Sequence, residues 1–161
     1  MPQLHKHFKV SSFFSMAEFQ TLDNCKHLVI DELFEPSQNR LEIHVTTGAA
    51  SDTAEMVRVS GHEIGPAKKI DFNPEESYSI FFDSYISYFV VNESYDRGMA
   101  GEFSGNRIRR YSQSTFIEFC KQQNIYFKLW DGSDILHFGV VTSNHLVHVL
   151  TTSAPAVSKI G

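Results

Sequence analysis

A strand rich in aromatic residues ends in polar groups that could do chemistry. The run that begins at Phe81 ends in Asn92-Glu93-Ser94-Tyr95, which supplies an amide, a carboxylate, a hydroxyl and a phenol. If this strand lies beside the last hairpin of the chain, Glu93 can orient His145 or His137 for general acid–base catalysis. The same groups can equally form a polar network that holds strand ends together. The sequence leaves both interpretations open.

The candidate site residues form two groups. The catalytic candidates carry a carboxylate or an imidazole and are Glu93, His145 and His137. The binding candidates carry amides, phenols, a guanidinium and an indole, and they are Asn92, Tyr95, Arg109, Tyr111, Trp130 and Asn144. The reaction class that fits is hydrolysis, in which Glu93 and His145 serve as acid and base.

A metal site built on His137, His145 and His148 is the next possibility. His145 and His148 are three residues apart, so they face opposite sides of a regular strand. No cysteine stands at metal-ligand spacing, and HExxH, P-loop, G-x-G-x-x-G and G-x-S-x-G motifs are all absent from the sequence. We therefore expect no metal site and no cofactor.

A short basic cluster offers a third interpretation. Arg107 and Arg109 share one face of a predicted strand, and Tyr111 could stack on a base. The net charge of −5 argues against a nucleic-acid partner, because phosphate backbones demand cations. The acids concentrate in residues 71–102, and this acidic segment would suit a basic protein partner instead.

The elements that must position these residues are mostly antiparallel strands. Alternation in residues 41–46 and the turn before them predict a hairpin with residues 27–34, and residues 135–142 and 145–150 predict a final hairpin. Residues 77–92 read as one long strand with a bulge at Asp83-Ser84. Residues 47–52 and 71–76 read as loops. A capping box predicts a helix from Met16 to about Asp23, and Ser112, Ser114 or Thr115 can cap a second helix through residues 116–121.

Together these elements predict one α+β domain over residues 1–161, with residues 1–10 and 152–161 as loose tails. The sheet is expected to be mainly antiparallel, with about seven or eight strands, strongly bent or barrel-like, and joined by two short helices. An exposed sheet edge would also permit a homodimer.

The cysteines and the apolar runs bear on the compartment. Cys25 and Cys120 are far apart and lie beside apolar residues, which is typical of buried free thiols in a reducing compartment. No run is long enough for a membrane span, and residues 1–8 lack the apolar core of a signal peptide. We expect a cytoplasmic protein that does not bind a membrane.

Several segments resemble an uncharacterised family of small bacterial proteins. The matching residues lie within about residues 77–155 and are Tyr85, Tyr88, Asn92-Glu93-Ser94-Tyr95, Tyr111-Ser112-Gln113-Ser114, Phe116-Ile117, His137 and Asn144-His145-Leu146-Val147-His148-Val149. Two departures stand out: the family usually has Asp where this chain has His148, and a longer Pro/Gly loop where this chain has the turn at Asp131-Gly132. The resemblance implies a soluble bacterial protein and no particular reaction.

The leading hypothesis from the sequence is a non-catalytic binding module for a protein partner. Its concrete version is an immunity protein that blocks a basic toxin through the acidic segment 71–102. A small hydrolase that uses Glu93 and His145 is one alternative, and a sheet that binds single-stranded nucleic acid is the other.

Overall fold

The computed structural model describes residues 16–123 and 135–161, in which two helices and nine strands form two antiparallel sheets. The helices are α1 (Met16–Asn24) and α2 (Thr115–Gln122). In spatial order, the first sheet contains β1 (His27–Phe34), β2 (Leu41–Val59), β3 (His62–Phe82) and β9 (Ala156–Lys159). The second contains β4 (Tyr85–Asn92), β8 (His145–Thr151), β7 (Leu136–Val141), β6 (Ile108–Ser114) and β5 (Gly101–Ser104). The predicted α+β class is confirmed, whereas the barrel-like form is wrong because neither sheet closes on itself.

The chain passes from the first sheet to the second at Asp83 and Ser84. The sequence predicts one bent strand over residues 77–92, but β3 ends at Phe82 and β4 begins at Tyr85 in the other sheet. Phe82 is fully buried, and its ring centroid lies 6.2 Å from that of Phe138 on β7. The two polar residues therefore mark a change of sheet rather than a bulge.

The two sheets share one apolar core. The first sheet contributes the alternating residues Leu41, Ile43 and Val45 of β2, as their spacing predicts. The second sheet contributes Val147 and Val149 of β8 among others, and Leu22 of α1 also lies in this cluster. The apolar faces of the two sheets are thus buried against each other.

The opposite face of the second sheet is covered by α2. Phe116 and Cys120 of α2 pack with Leu150 of β8 in a separate buried cluster. Because β7 and β8 are covered on both faces, they are buried along almost their whole length. Polar side chains that point from these strands toward α2 are consequently buried as well.

Three segments expected to be irregular pair as strands. Residues 47–52 and 71–76 belong to β2 and β3, where Gly48 lies opposite Phe72 and Ala50 opposite Ile70. Their composition resembles a loop, but Gly48 and Ala49 pair with Phe72 and Asp71, while residues 73–76 have no partner in this ladder. The C-terminal tail forms β9, which pairs with residues 78–81 of β3 and buries Val157. The other predicted tail, residues 1–10, lies outside the described residues.

Neither helix within the described ranges is long and apolar enough to cross a membrane.

Candidate functional site

Three polar side chains form a hydrogen-bonded line between the second sheet and α2. Ser114 Oγ lies 2.8 Å from His137 Nδ1, and His137 Nε2 lies 3.0 Å from His148 Nδ1. Ser114 is 6% exposed, His137 is fully buried and His148 is almost so. We refer to these residues as the Ser–His–His line.

The strand register explains why they meet. On the α2 face of the sheet, Tyr111, His137 and Leu150 lie opposite one another on β6, β7 and β8. In the adjacent row, Gly139 lies opposite His148. A Cβ atom on Gly139 would stand 3.1 Å from the Tyr111 ring and 3.6 Å from His148 Nδ1. Glycine therefore leaves the space that both rings occupy.

Aromatic rings enclose both imidazoles. Tyr111 stacks on His137 with ring centroids 4.2 Å apart, and Phe89 stacks on His148 at 4.8 Å. Phe116 meets His137 edge-on, at 5.5 Å. These contacts fix both imidazole planes and shield the two rings from solvent.

Burial keeps both imidazoles neutral at pH 7. Desolvation lowers the pKa of His137 to about 3, and the neighbouring His148 lowers it further in the same direction. Desolvation also lowers the pKa of His148 to about 4, with Asp96 opposing this shift and Arg109 supporting it.

The hydrogen-bond directions follow from the start of α2. Ser114 is the N-cap of that helix, and its Oγ accepts the backbone N–H of Ile117 at 3.1 Å. We assign the hydroxyl proton to the bond with His137 Nδ1. His137 Nε2 then carries the ring proton and donates it to His148 Nδ1.

Ser114 and the charged groups that act on His148 each line a surface cavity. Ser114 lines a cavity of about 440 Å³ together with Gly101, Gln113 and Ile117. Asp96 and Arg109 line a second cavity of about 310 Å³. Both charged groups act on His148 electrostatically. The Ser–His–His line therefore meets an open cavity at Ser114.

The predicted acid–base pair is not joined. Glu93 begins a 3-10 turn at the end of β4, and its backbone N–H donates to the carbonyl of Asn144 at 3.2 Å. His145 lies opposite Asn92 in the ladder between β4 and β8. Within the described residues, no hydrogen bond or ion pair links the side chains of Glu93 and His145. His137, the third catalytic candidate, belongs to the Ser–His–His line.

Two of the predicted binding amides have structural roles. Asn92 caps the 3-10 turn, where its Oδ1 accepts the N–H of Ser94 at 3.0 Å. The side-chain amide of Asn144 forms both hydrogen bonds that a paired strand residue would form with Ile30. Its Oδ1 accepts from Ile30 N at 3.1 Å, and its Nδ2 donates to Ile30 O at 2.9 Å. It thereby ties the β7–β8 turn to β1, at the place where the β1–β2 register shifts. Tyr95, by contrast, is 79% exposed.

The remaining binding candidates are distributed differently. Tyr111 lies against His137, as described above. Arg109 places its guanidinium 4.4 Å from the centroid of the Phe103 ring, and its Nε is buried without a hydrogen-bond partner among the described residues. Arg107 donates to the carbonyls of Cys25 and Lys26, and it lines the same surface cavity as Arg109. Trp130 lies outside the described residues.

Sequence reasoning missed two members of the Ser–His–His line. It assigned Ser114 only a capping function, and it grouped His148 with His137 and His145 only in a metal site that it then rejected. The available signal was the odd spacing from His145 to His148, which places His148 on the face opposite His145. The cross-strand register that brings His148 to His137 could not be read from either segment alone.

A second feature is a projecting hairpin formed by residues 49–71, which we call the arm. β1 pairs with β2 only as far as Gly48, and β9 pairs with β3 only over residues 78–81. Within the described part of the chain, the arm's two strands therefore pair only with each other. At about 3.3 Å per residue the arm extends roughly 30 Å beyond the sheet.

The tip of the arm has two unlike faces. Val57 lies opposite Ile64 and Val59 opposite His62, while Arg58 lies opposite Glu63 on the other face. Val57, Val59 and Ile64 are 45%, 50% and 54% exposed. We call these three residues the apolar tip; no described residue covers it.

No group of three or more histidine, cysteine, aspartate or glutamate side chains in the described ranges could hold a metal ion. Comparison with known proteins finds no matching family model, no matching curated protein and no matching solved structure.

Proposed function

We propose that this protein is a binding module for a protein partner and that the arm is its principal contact. The observation that carries this proposal is the free-standing hairpin with an apolar tip. A two-stranded hairpin without further strands is marginally stable in water. Exposed valine and isoleucine on such a hairpin add no folding energy unless another surface buries them.

The edges of the arm favour docking through the apolar tip. Its strands carry two register shifts, and β3 carries Pro66, Lys68 and Lys69 along this stretch. Bulges, proline and lysine are features by which proteins prevent uncontrolled strand pairing at sheet edges. The exposed side chains of the apolar tip are thus better suited to bind a partner than the backbone groups along the edges of the arm.

The acidic segment 71–102 is less suited to be the contact than its sequence indicates. It contains seven acids, three of which are paired with cations. The carboxylate of Asp71 lies 2.7 Å from Lys69 Nζ, and that of Glu76 lies 2.6 Å from Lys159 Nζ. The carboxylate of Asp83 lies 2.9 Å from Arg40 Nε. These pairs reduce the field that would attract a basic partner. We therefore propose that the partner is a protein, as the sequence predicts, but that it binds the arm rather than the acidic segment.

We further propose that the protein works in the bacterial cytoplasm, as an immunity-like inhibitor of another protein. Support for a reducing compartment comes from Cys25 and Cys120, which are both free thiols. Burial raises the pKa of each thiol, which keeps both protonated and slow to oxidise. The bacterial setting rests on the family resemblance.

The proposal is tested by photo-crosslinking in the protein's own host cells. A photoreactive residue at position 57 should give a discrete crosslinked protein, identified by mass spectrometry. The triple variant Val57→Thr, Val59→Thr, Ile64→Thr keeps β-branched side chains and so preserves the strands while it removes apolar surface. We expect this variant to lose at least tenfold of its affinity for the purified partner.

The matched control is Arg58→Thr with Glu63→Thr on the opposite face of the same tip. It should retain binding within about twofold, because rim and surface charges contribute little. Equal loss in both variants would indicate a damaged arm rather than a docking face. Undiminished binding by the triple variant would contradict the proposal.

A further inference from the structure

We propose that Ser114 is a nucleophile and that His137 is its general base, at a site for a small uncharged carboxylic ester. The inference is independent of the arm, which belongs to the other sheet. It starts from the contact between the Ser114 hydroxyl and His137 Nδ1, at 2.8 Å. A hydroxyl becomes a useful nucleophile when a base within hydrogen-bond reach can take its proton.

The proton has a defined direction of travel. Because Ser114 Oγ already accepts the N–H of Ile117, its own proton is directed to His137. His137 Nε2 is held 3.0 Å from His148 Nδ1, which fixes the ring in one orientation. His148 is thus a positioning residue, in the place where a third group orients the base in nucleophilic triads.

The cavity beside Ser114 indicates the substrate class. Its lining includes Ala100, Gly101, Gln113 and Ile117, all uncharged. The two charged residues that also line it, Glu118 and Lys121, form an ion pair with each other at 2.8 Å. No unpaired cation or anion in this lining would select a charged ligand. A volume of about 440 Å³ suits a short acyl chain rather than a polymer.

The reaction step balances as an acyl transfer. Ser114 Oγ forms a bond to the ester carbonyl carbon, and its proton moves to His137 Nδ1. The C–O bond of the leaving alcohol then breaks, and the alcohol departs with that proton. Water repeats the sequence on the acyl–serine and releases the carboxylic acid.

The environment of His137 supports this role in two respects. Its low pKa keeps the ring in the proton-accepting form at pH 7. The hydrogen bond from its Nε2 to His148 Nδ1, at 3.0 Å, also holds the ring with Nδ1 directed at the Ser114 hydroxyl. A weakly basic imidazole of this kind should give a slow hydrolase whose rate is constant from pH 6 to pH 9.

The test uses an alkyl fluorophosphonate, which reports nucleophilic serines directly. Ser114 Oγ should form a bond to phosphorus as the P–F bond breaks, with fluoride leaving and the proton passing to His137. Peptide mapping of the intact wild-type protein should locate a single adduct at Ser114. This mapping needs no variant, so it remains decisive even if a substitution disturbs folding.

Variants then assign the roles. Ser114→Ala should reduce labelling to background, and His137→Gln should slow it by roughly a hundredfold. Ser94→Ala is the matched control, because Ser94 is an exposed serine that does not line this cavity; its labelling should stay within twofold. The proposal is overturned if folded wild-type protein gives no adduct, or if the adduct maps to any serine other than Ser114.

Discussion

The two buried imidazoles make the stability of the protein dependent on acid. In the unfolded chain both rings have a pKa near 6.5, whereas in the folded protein the values are about 3 for His137 and about 4 for His148. Between pH 6.5 and pH 4 the unfolded state therefore binds more protons. The free energy of unfolding should be highest above pH 7 and fall by up to about 1.4 kcal/mol per pH unit for each ring below pH 6.5.

Urea denaturation at pH 7, 6 and 5 measures this dependence. His148→Gln should reduce the acid-induced loss by about half, because one titrating ring is removed. The control Thr53→Ala alters an exposed residue of the arm that does not titrate and should leave the slope unchanged. An identical slope in wild-type protein and His148→Gln would show that these rings do not titrate as their burial requires.

Gly139 is the residue on which the packing around the Ser–His–His line depends. In Gly139→Ala the new methyl group would meet the Tyr111 ring at 3.1 Å, so the ring stacked on His137 must move. We expect a loss of about 1–3 kcal/mol in the free energy of unfolding, which is typical of an overpacked core. Adding Tyr111→Leu should recover part of that loss. Strictly additive effects in this double-mutant cycle would argue against the contact.

The sequence identified several important residues but not the side chains and backbone groups that they contact. The types of the important residues were visible, and His137, Tyr111 and Arg109 were all candidates. Their partners were not visible, because a hydrogen bond between strands depends on register, and a one-residue slip reverses every face. Asn144 illustrates the same limit: its amide satisfies the backbone of Ile30, a residue 114 positions away.

At the scale of elements, Asp23 joins the end of α1 to the β5–β6 turn. One carboxylate oxygen accepts the backbone N–H groups of Asn106, Arg107 and Ile108, at 2.8 to 2.9 Å. Asp23→Ala would leave these three donors without that acceptor. We expect a loss of about 1.5–3 kcal/mol, the range for hydrogen bonds to a charged group.

Asp23→Asn provides the matched comparison, since it retains one acceptor oxygen but not the charge. It should lose less stability than Asp23→Ala in urea denaturation. If both variants unfold at the wild-type urea concentration, the turn does not need this cap.

The arm makes a contrasting element. Residues 52–68 are almost all exposed, and none of them belongs to either buried cluster. Replacing them with Asn-Gly should give a short hairpin that still pairs β2 with β3. We expect the free energy of unfolding to change by less than about 1 kcal/mol, while partner binding is lost. A large loss of stability would mean that the arm supports the fold rather than recognition.

Elements were predicted best where a local rule determines them. Alternation placed Leu41, Ile43 and Val45 in the core, and the capping rule placed Ser114 at the start of α2. The first residues of the arm escaped prediction because residues 49–52 are small or polar, so neither composition nor periodicity indicated a strand there. Their pairing is a consequence of backbone hydrogen bonding between two segments that lie about 20 residues apart.

At the scale of the whole molecule, three kinds of link connect the two sheets. They are joined covalently at Asp83 and Ser84, and they share a core in which Phe82 contacts Phe138 and β2 residues cluster with those of β8. The side chain of Asn144 adds a polar connection from the second sheet to Ile30 of the first. Neither sheet can bury its inner face alone, so each depends on the other for most of its stability.

This dependence predicts a single cooperative unfolding transition. Amide hydrogen exchange should show that β2 and β3 below the arm lose protection at the same urea concentration as β7 and β8. Phe138→Ala removes a buried ring from β7 and should destabilise the first sheet as much as the second, by about 3–5 kcal/mol. Phe119→Ala, on the exposed face of α2, is the control and should have little effect. If the two sheets instead lost protection at different urea concentrations, the shared core would be too weak to couple them, and the chain would comprise two folding units.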